Sequence, residues 1–442
     1  MMKKLFLLLI IGVCSASAIA QIDLTTVMLP AEFMPEAARM NPAALPTQGI
    51  AILLPKTYFD IQSTTNYNDL FTKNSAGKTT LDLSNAIAKL QITNNQLSAT
   101  TTFQTLGVTF GVGGGWSLSL DHAVRSNTEI LYSKAAADIF WNGNAAYIGQ
   151  TADIGVNLQS STFSQFSIAA AYQLGYLKIG GRAKYLNGIS NVSTSRSTAS
   201  LNTSSDIYQL TLNTDYQLNT SNYLNKTDLD NFDFKLTSPY SLKNLFTPNR
   251  GLAFDLGIDF DLTEKLKLSA SVTDLAGNIK WTQNAQNLSS KGTYTYSGLD
   301  LAQVLRRDSV NFSSTLDTLS KIFNFQKTNN SYTSTLPTNY LASLQYKLSD
   351  RLTVGAVAQV RTHQGLTQKA IAASAGYKIF SFLHLGATYS FRDGGLQGLG
   401  LSAVAKIWKF RFFALTDNIL TFTQPYGSSF ANGRVGMNFV IQ

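Results

Sequence analysis

From about residue 100 onward the chain repeats one arrangement: an alternating apolar and polar run, a turn of two or three residues, then a second alternating run. Residues 251–262 show it best. Leu252, Phe254, Leu256, Ile258, Phe260 and Leu262 fall on one side, and Ala253, Asp255, Gly257, Asp259 and Asp261 on the other. Side chains on a strand point to opposite faces with period two, so one face suits an oily surrounding and the other suits water. Repeated along a chain addressed to a membrane, the pattern predicts an all-β fold, a transmembrane antiparallel up-and-down β-barrel.

The turns between paired runs are short and resemble one another. Leu262-Thr263-Glu264-Lys265-Leu266 and Leu348-Ser349-Asp350-Arg351-Leu352 share one scheme of apolar residue, hydroxyl, acid, base and a new strand. Others fall at 113–115, 175–176, 380–382 and 408–409, each between runs near the ten residues that a tilted strand needs to cross a bilayer. The opposite connections, about 65–99, 127–162, 188–249 and 276–337, are long and rich in Ser, Thr and Asn. Short turns on one side and long loops on the other are the asymmetry of bacterial barrels, with the long loops facing outward from the cell. Fifteen runs qualify between residues 50 and 441, 206–217 among them. Even counts prevail in single-chain barrels, so one run is surplus and the expectation is about 14 strands. The last run sets Val435, Met437, Phe439 and Ile441 outward and can close the ring against the first.

Targeting decides which solvent the apolar face meets. Residues 1–20 combine Lys3 and Lys4, an apolar stretch and the small-residue ending Ala18-Ile19-Ala20, which predicts an exported chain cleaved before Gln21. A lipoprotein anchor at Cys14 is disfavoured by the bulky Val13 before it. Cys14 is the only cysteine, so disulfides, thiolate nucleophiles and Cys-ligated zinc are excluded from the mature chain. Formal charge is +9, or +7 once Lys3 and Lys4 are removed. The basic residues are scattered, which predicts no nucleic-acid binding and suits contact with outer-membrane lipid and lipopolysaccharide. Beyond the signal peptide no apolar run approaches the length of a spanning helix.

The mature chain resembles a family of uncharacterised outer-membrane barrels from Bacteroidota, near the long-chain fatty-acid transporter (FadL-like) and PorV-like barrels. The segments that carry the resemblance are Pro35-Glu36-Ala37-Ala38-Arg39-Met40-Asn41-Pro42-Ala43, Gly180-Gly181-Arg182-Ala183-Lys184-Tyr185-Leu186-Asn187-Gly188, Asn249-Arg250-Gly251-Leu252-Ala253-Phe254-Asp255-Leu256-Gly257, and Val272-Thr273-Asp274-Leu275 followed by Trp281. It implies that residues 21–48, with Asn41, Pro42 and Ala43, enter the barrel (49–442) as a hatch or plug. Pro42 and Pro46 by themselves only keep that segment out of regular helix and sheet. The chain departs from the usual barrel ending, since its last residue is Gln442 and not an aromatic.

Chemistry-bearing motifs are few. His122, His363 and His384 lack the helical pairing of a metalloprotease, Gly77-Lys78-Thr79 lacks the earlier glycine of a phosphate loop, and no nucleophile elbow accompanies Asp121-His122. No enzyme, cofactor or metal site is expected. The candidate functional residues are polar-face charges, Asp255, Asp259 and Asp261 on one strand and Lys178, Arg182 and Lys184 on another. These would form a gating or orienting network if the two strands faced each other across the lumen. Trp116, Tyr176 and Trp408, beside short turns, are candidates for an interfacial aromatic girdle. The expected function is a passive outer-membrane channel or carrier for a small hydrophobic molecule. The alternative is a PorV-like structural or secretion-accessory barrel that binds a protein partner through its outer loops.

Overall fold

The computed structural model describes residues 24–27, 34–73, 79–206, 209–222, 224–228, 231–234, 245–296, 323–393, 396–423 and 428–441. The signal-peptide reading at 1–20 with Cys14, parts of the 21–48 segment and of the long connections, and Gly77 and Lys78 lie outside the described residues.

Fourteen strands form the wall. They are β1 (Ile50–Leu53, resuming as Lys56–Ser63), β2 (Asn95–Gly113), β3 (Trp116–Tyr132), β4 (Asn157–Leu174), β5 (Leu177–Thr203), β6 (Arg250–Asp261) and β7 (Leu266–Trp281). The other half comprises β8 (Thr338–Lys347), β9 (Leu352–His363), β10 (Leu366–Phe380), β11 (Leu383–Arg392), β12 (Leu396–Ile407), β13 (Phe410–Thr416) and β14 (Phe430–Ile441). Each pairs antiparallel with the next. The ring closes where β14 meets β1, with Ile50 opposite Ile441 and Thr57 opposite Val435. Closure leaves no open edge in the wall.

The alternation read from residues 251–262 is the alternation observed. Ala253, Asp255 and Asp259 are buried inward, while Leu252, Phe254, Leu256 and Ile258 are exposed outward. Exposed apolar side chains continue around the ring, among them Leu120 on β3, Ile179 on β5, Ile371 on β10, Leu385 on β11 and Phe412 on β13. A continuous apolar belt of this extent is far larger than the patches that water-soluble monomers expose, and hydrocarbon is the solvent that suits it. Among the described residues no helix is long and apolar enough to cross a membrane.

The shared turn scheme has a local cause. Thr263 Oγ1 accepts from the amides of Lys265 (3.2 Å) and Leu266 (3.0 Å), and Ser349 Oγ does the same for Arg351 (3.3 Å) and Leu352 (3.1 Å). The hydroxyl supplies the acceptor that a tight reversal leaves missing.

At the long-loop end the strands outrun the expected boundaries. β5 is 27 residues long, and its upper part pairs with Leu210–Ser221, which in turn pairs with Ala285–Tyr296. Run 206–217 is therefore the surplus one. Its Leu210 and Leu212 pack on Leu201, Ala152 and Ile139 in a small protein core above the ring, so alternation there reports burial in protein and not in lipid. Outward positions on β3 and β4 also turn polar, with Ser126 beside Thr162 (3.0 Å) and Thr128 beside Ser160 (2.9 Å). With water on both faces the two-residue contrast fades, which is why these stretches read as loop.

Candidate functional site

The described parts of the N-terminal segment lie against the inner wall from one end to the other. At the long-loop end, helix α1 (Leu24–Val27) is held by Asp417 just beyond β13, whose carboxylate accepts from the Leu24 amide (3.3 Å), the Thr25 amide (3.0 Å) and the Thr25 hydroxyl. Leu24 packs with Met40 against Leu341, Val357, Ala370 and Ala372, inward residues of β8 to β10. Lower down, helix α2 (Ala37–Met40) leads into a short 3-10 turn, Pro42–Ala44. Asn41 caps it, its Oδ1 accepting from the Ala43 amide (3.0 Å), and Pro42 supplies a first-turn φ and a missing donor where none is needed. The same side chain turns its amide to the wall and donates to Asp259 Oδ1 (2.7 Å) and Ile258 O (3.2 Å). At the short-turn end Lys178 donates to Leu45 O.

The wall is shaped to receive this segment. A methyl group on Gly257 would overlap Asn41 Oδ1, one on Gly180 would overlap the Pro42 backbone, and one on Gly111 would overlap Thr47. Glu36 reaches the closing seam, pairing with Lys56 of β1 and accepting from Asn438 of β14 (3.1 Å), both partners being almost fully buried. The ladder of the seam is interrupted at that level, because Leu54 and Pro55 break β1 and Pro55 has no amide to donate.

Asp255, Arg182 and Lys184 do come together, but as neighbours. β5 and β6 are adjacent, with Asp255 directly opposite Arg182 and Asp259 opposite Lys178, so the expected arrangement across the lumen is corrected to one along the wall. Asp255 binds Arg182 (3.0 Å) and Lys184 (2.6 Å); Lys184 also binds Asp274 (2.7 Å). Asp274 sits where the β6–β7 register slips, at φ 59°, and its amide, freed from the ladder, donates to Asp255 Oδ1 (2.8 Å). Arg182 donates in addition to Ala38 O (2.7 Å), which ties this cluster to the N-terminal segment. Asp261 stands apart near the turn, 45% exposed, with Lys267 at 3.9 Å.

True chords across the lumen involve residues that the sequence pattern did not single out. Arg125 of β3 makes a two-pronged bond to Asp274 of β7 (2.9 and 3.0 Å). Arg392 of β11 joins Asp60 of β1 (3.1 Å) to Asp417 (2.8 Å). Near the long-loop mouth, Glu129 of β3 meets Arg361 (3.1 Å) and His363 (2.9 Å) of β9, almost half the ring away. Gln159 and Gln364 join there as well (2.7 Å). Arg125, Glu129, Arg361, His363, Arg392 and Asp60 have the inward parity of their strands, whereas Asp274 turns inward only because the β6–β7 register slips there; which strands meet across the interior depends on the cross-section. Period-two alternation does not encode that.

Trp116, Tyr176 and Trp408 all lie at the short-turn end and are exposed, Trp116 against Tyr172 and Trp408 against Phe410 and Phe439. His384 is buried inward on β11. Among the described residues no three acidic, His or Cys side chains converge as a metal ion would require.

A family model described as a family of unknown function, DUF5723, matches residues 42–417. No curated protein matches the chain. Among solved structures, the toluene transporter TbuX of Ralstonia pickettii is similar at 9% identity and TM-score 0.42, covering 96% of each chain. A FadL homologue from Pseudomonas aeruginosa is similar at 11% identity and TM-score 0.45, covering 96% of this chain and 97% of that one. The Pseudomonas putida toluene transporter TodX is similar at 10% identity and TM-score 0.40, covering 96% and 94%.

Proposed function

The chain belongs to the DUF5723 family, whose function is unknown, and from that premise we propose that it is an outer-membrane channel or carrier kept closed by its own N-terminal segment. The observation that carries the reading is the seating of that segment. Its Thr25, Glu36 and Asn41 bond to Asp417, Lys56 and Asp259 of the wall, down the length of the interior. Glycines at 111, 180 and 257 leave the inner wall shaped to the segment. A channel that must open needs an insert whose attachment is polar and reversible.

The passenger fits a small hydrophobic molecule. Displacing the segment would bare apolar patches on the inner wall, Leu341 and Val357 in one place and Val404, Phe413 and Leu415 in another. The resemblance of Pro35 to Ala43 to FadL-like proteins supports the same class. Trp116, Tyr176 and Trp408 suit a headgroup level at the short-turn end, and short turns of this kind favour the periplasmic side, with the long loops facing outward toward lipopolysaccharide.

The test is single-channel conductance of the refolded mature protein, wild type against Glu36→Gln. Losing about 1.4 kcal/mol of seating shifts a closed-to-open ratio about tenfold. The expected result is a mostly closed wild type and an open fraction raised about tenfold in the variant. Permanent closure of both would remove the channel reading.

A further inference from the structure

Between the N-terminal segment and the wall lies a cavity of about 20 Å³, lined by Arg39, Asp121, Arg125, Gln165, Arg182, Lys184, Thr273 and Asp274. Its size is that of one water-sized group. Its charge is unbalanced. Four cations, Arg39, Arg125, Arg182 and Lys184, share three carboxylates, Asp121, Asp274 and the adjoining Asp255, and Asp255 is already bound by Arg182 and Lys184. Arg39 comes from the segment, and the like charges of Arg434, Arg182 and Arg125 act on it against the single carboxylate of Asp121. Arg125 and Arg182 are each about 5% exposed, and each keeps a buried Nε–H with no acceptor. A buried guanidinium donor left unmet is costly, and Arg39, which is half-buried, adds its positive charge beside cations that are already paired.

We propose that this cavity binds one chloride ion, which bridges Arg39 of the N-terminal segment to Arg125 and Arg182 of the wall. A halide accepts from several N–H groups at once, has no directional demand and offsets the surplus of positive charge. A water molecule meets the donors but leaves the charge. The ion would act as a removable pin for the segment. Its binding stands or falls without any transport assay, so failure here and failure of the channel reading are told apart.

The experiment uses the refolded mature protein in detergent. Crystals grown in bromide in place of chloride are examined for anomalous scattering, and thermal unfolding is followed in chloride and in gluconate at equal ionic strength. The expected results are a bromide peak between Arg39, Arg125 and Arg182, and a saturable rise in Tm with chloride of about 2 °C or more. Arg39→Gln should abolish the rise. Should that variant fail to fold, the two wild-type measurements decide the matter. No peak together with equal Tm in the two salts means that the cavity holds water and overturns the proposal. A peak with no change in Tm means an adventitious ion only and overturns it as well.

Discussion

Asp255 concentrates what individual side chains do in this wall. It is fully buried, pairs with both Arg182 and Lys184, and accepts the Asp274 amide that the slipped register leaves without a ladder partner. Removing one member of a buried charge cluster typically costs about 3–5 kcal/mol, because the partners remain buried and unpaired. Asp255→Ala should therefore lower unfolding stability in lipid by that order, measured by urea titration of the reconstituted barrel. A loss below about 1 kcal/mol would show that water enters the cluster and solvates it. The parity of β6 made Asp255 and Asp259 legible as inward groups, and the same parity picked out Lys178, Arg182 and Lys184. Partners supplied from elsewhere were not legible. Glu36, Lys56, Glu129, Arg361 and Asp417 are ordinary charges in sequence, and they acquire meaning only once the route of the N-terminal segment and the shape of the ring are known.

Strands and turns were far easier to read, because each has a cause within a few residues. Lipid on one face and a polar interior on the other impose a contrast with period two, and β6 to β14 follow it almost without interruption. Leu256 stands in the outward row of β6, so Leu256→Arg should cost about 2–4 kcal/mol of folding into a bilayer if it lies near the midplane. The yield of heat-modifiable folded protein in liposomes would report it, and an unchanged yield would place β6 outside the hydrocarbon. The turn hydroxyls predict a smaller effect. Ser349→Ala removes an acceptor shared by two exposed amides and should cost about 1 kcal/mol, with Thr263→Ala alike, again read from urea unfolding. Legibility ended where water wets both faces. Leu210–Ser221 carries alternation as clean as a barrel strand, yet packs on a small core above the ring.

As a whole the molecule is a closed cylinder whose first and last strands meet over a proline-interrupted stretch, with Glu36 of the internal segment binding a residue on each side of it. Seating of the segment thus braces the closing seam, and opening requires the segment to leave while the direct pairing of β1 with β14 keeps the wall closed. Opening is the central claim, and a covalent lock tests it most directly, since the chain's only cysteine is Cys14, within the expected signal peptide. A Cβ built on Gly257 lies 3.0 Å from Asn41 Cγ, close enough for Asn41→Cys and Gly257→Cys to form a disulfide. The decisive measurement is single-channel conductance of that double variant before and after reduction. The account predicts no openings while oxidised and their return once the bond is reduced. Equal conductance in the two states would contradict it.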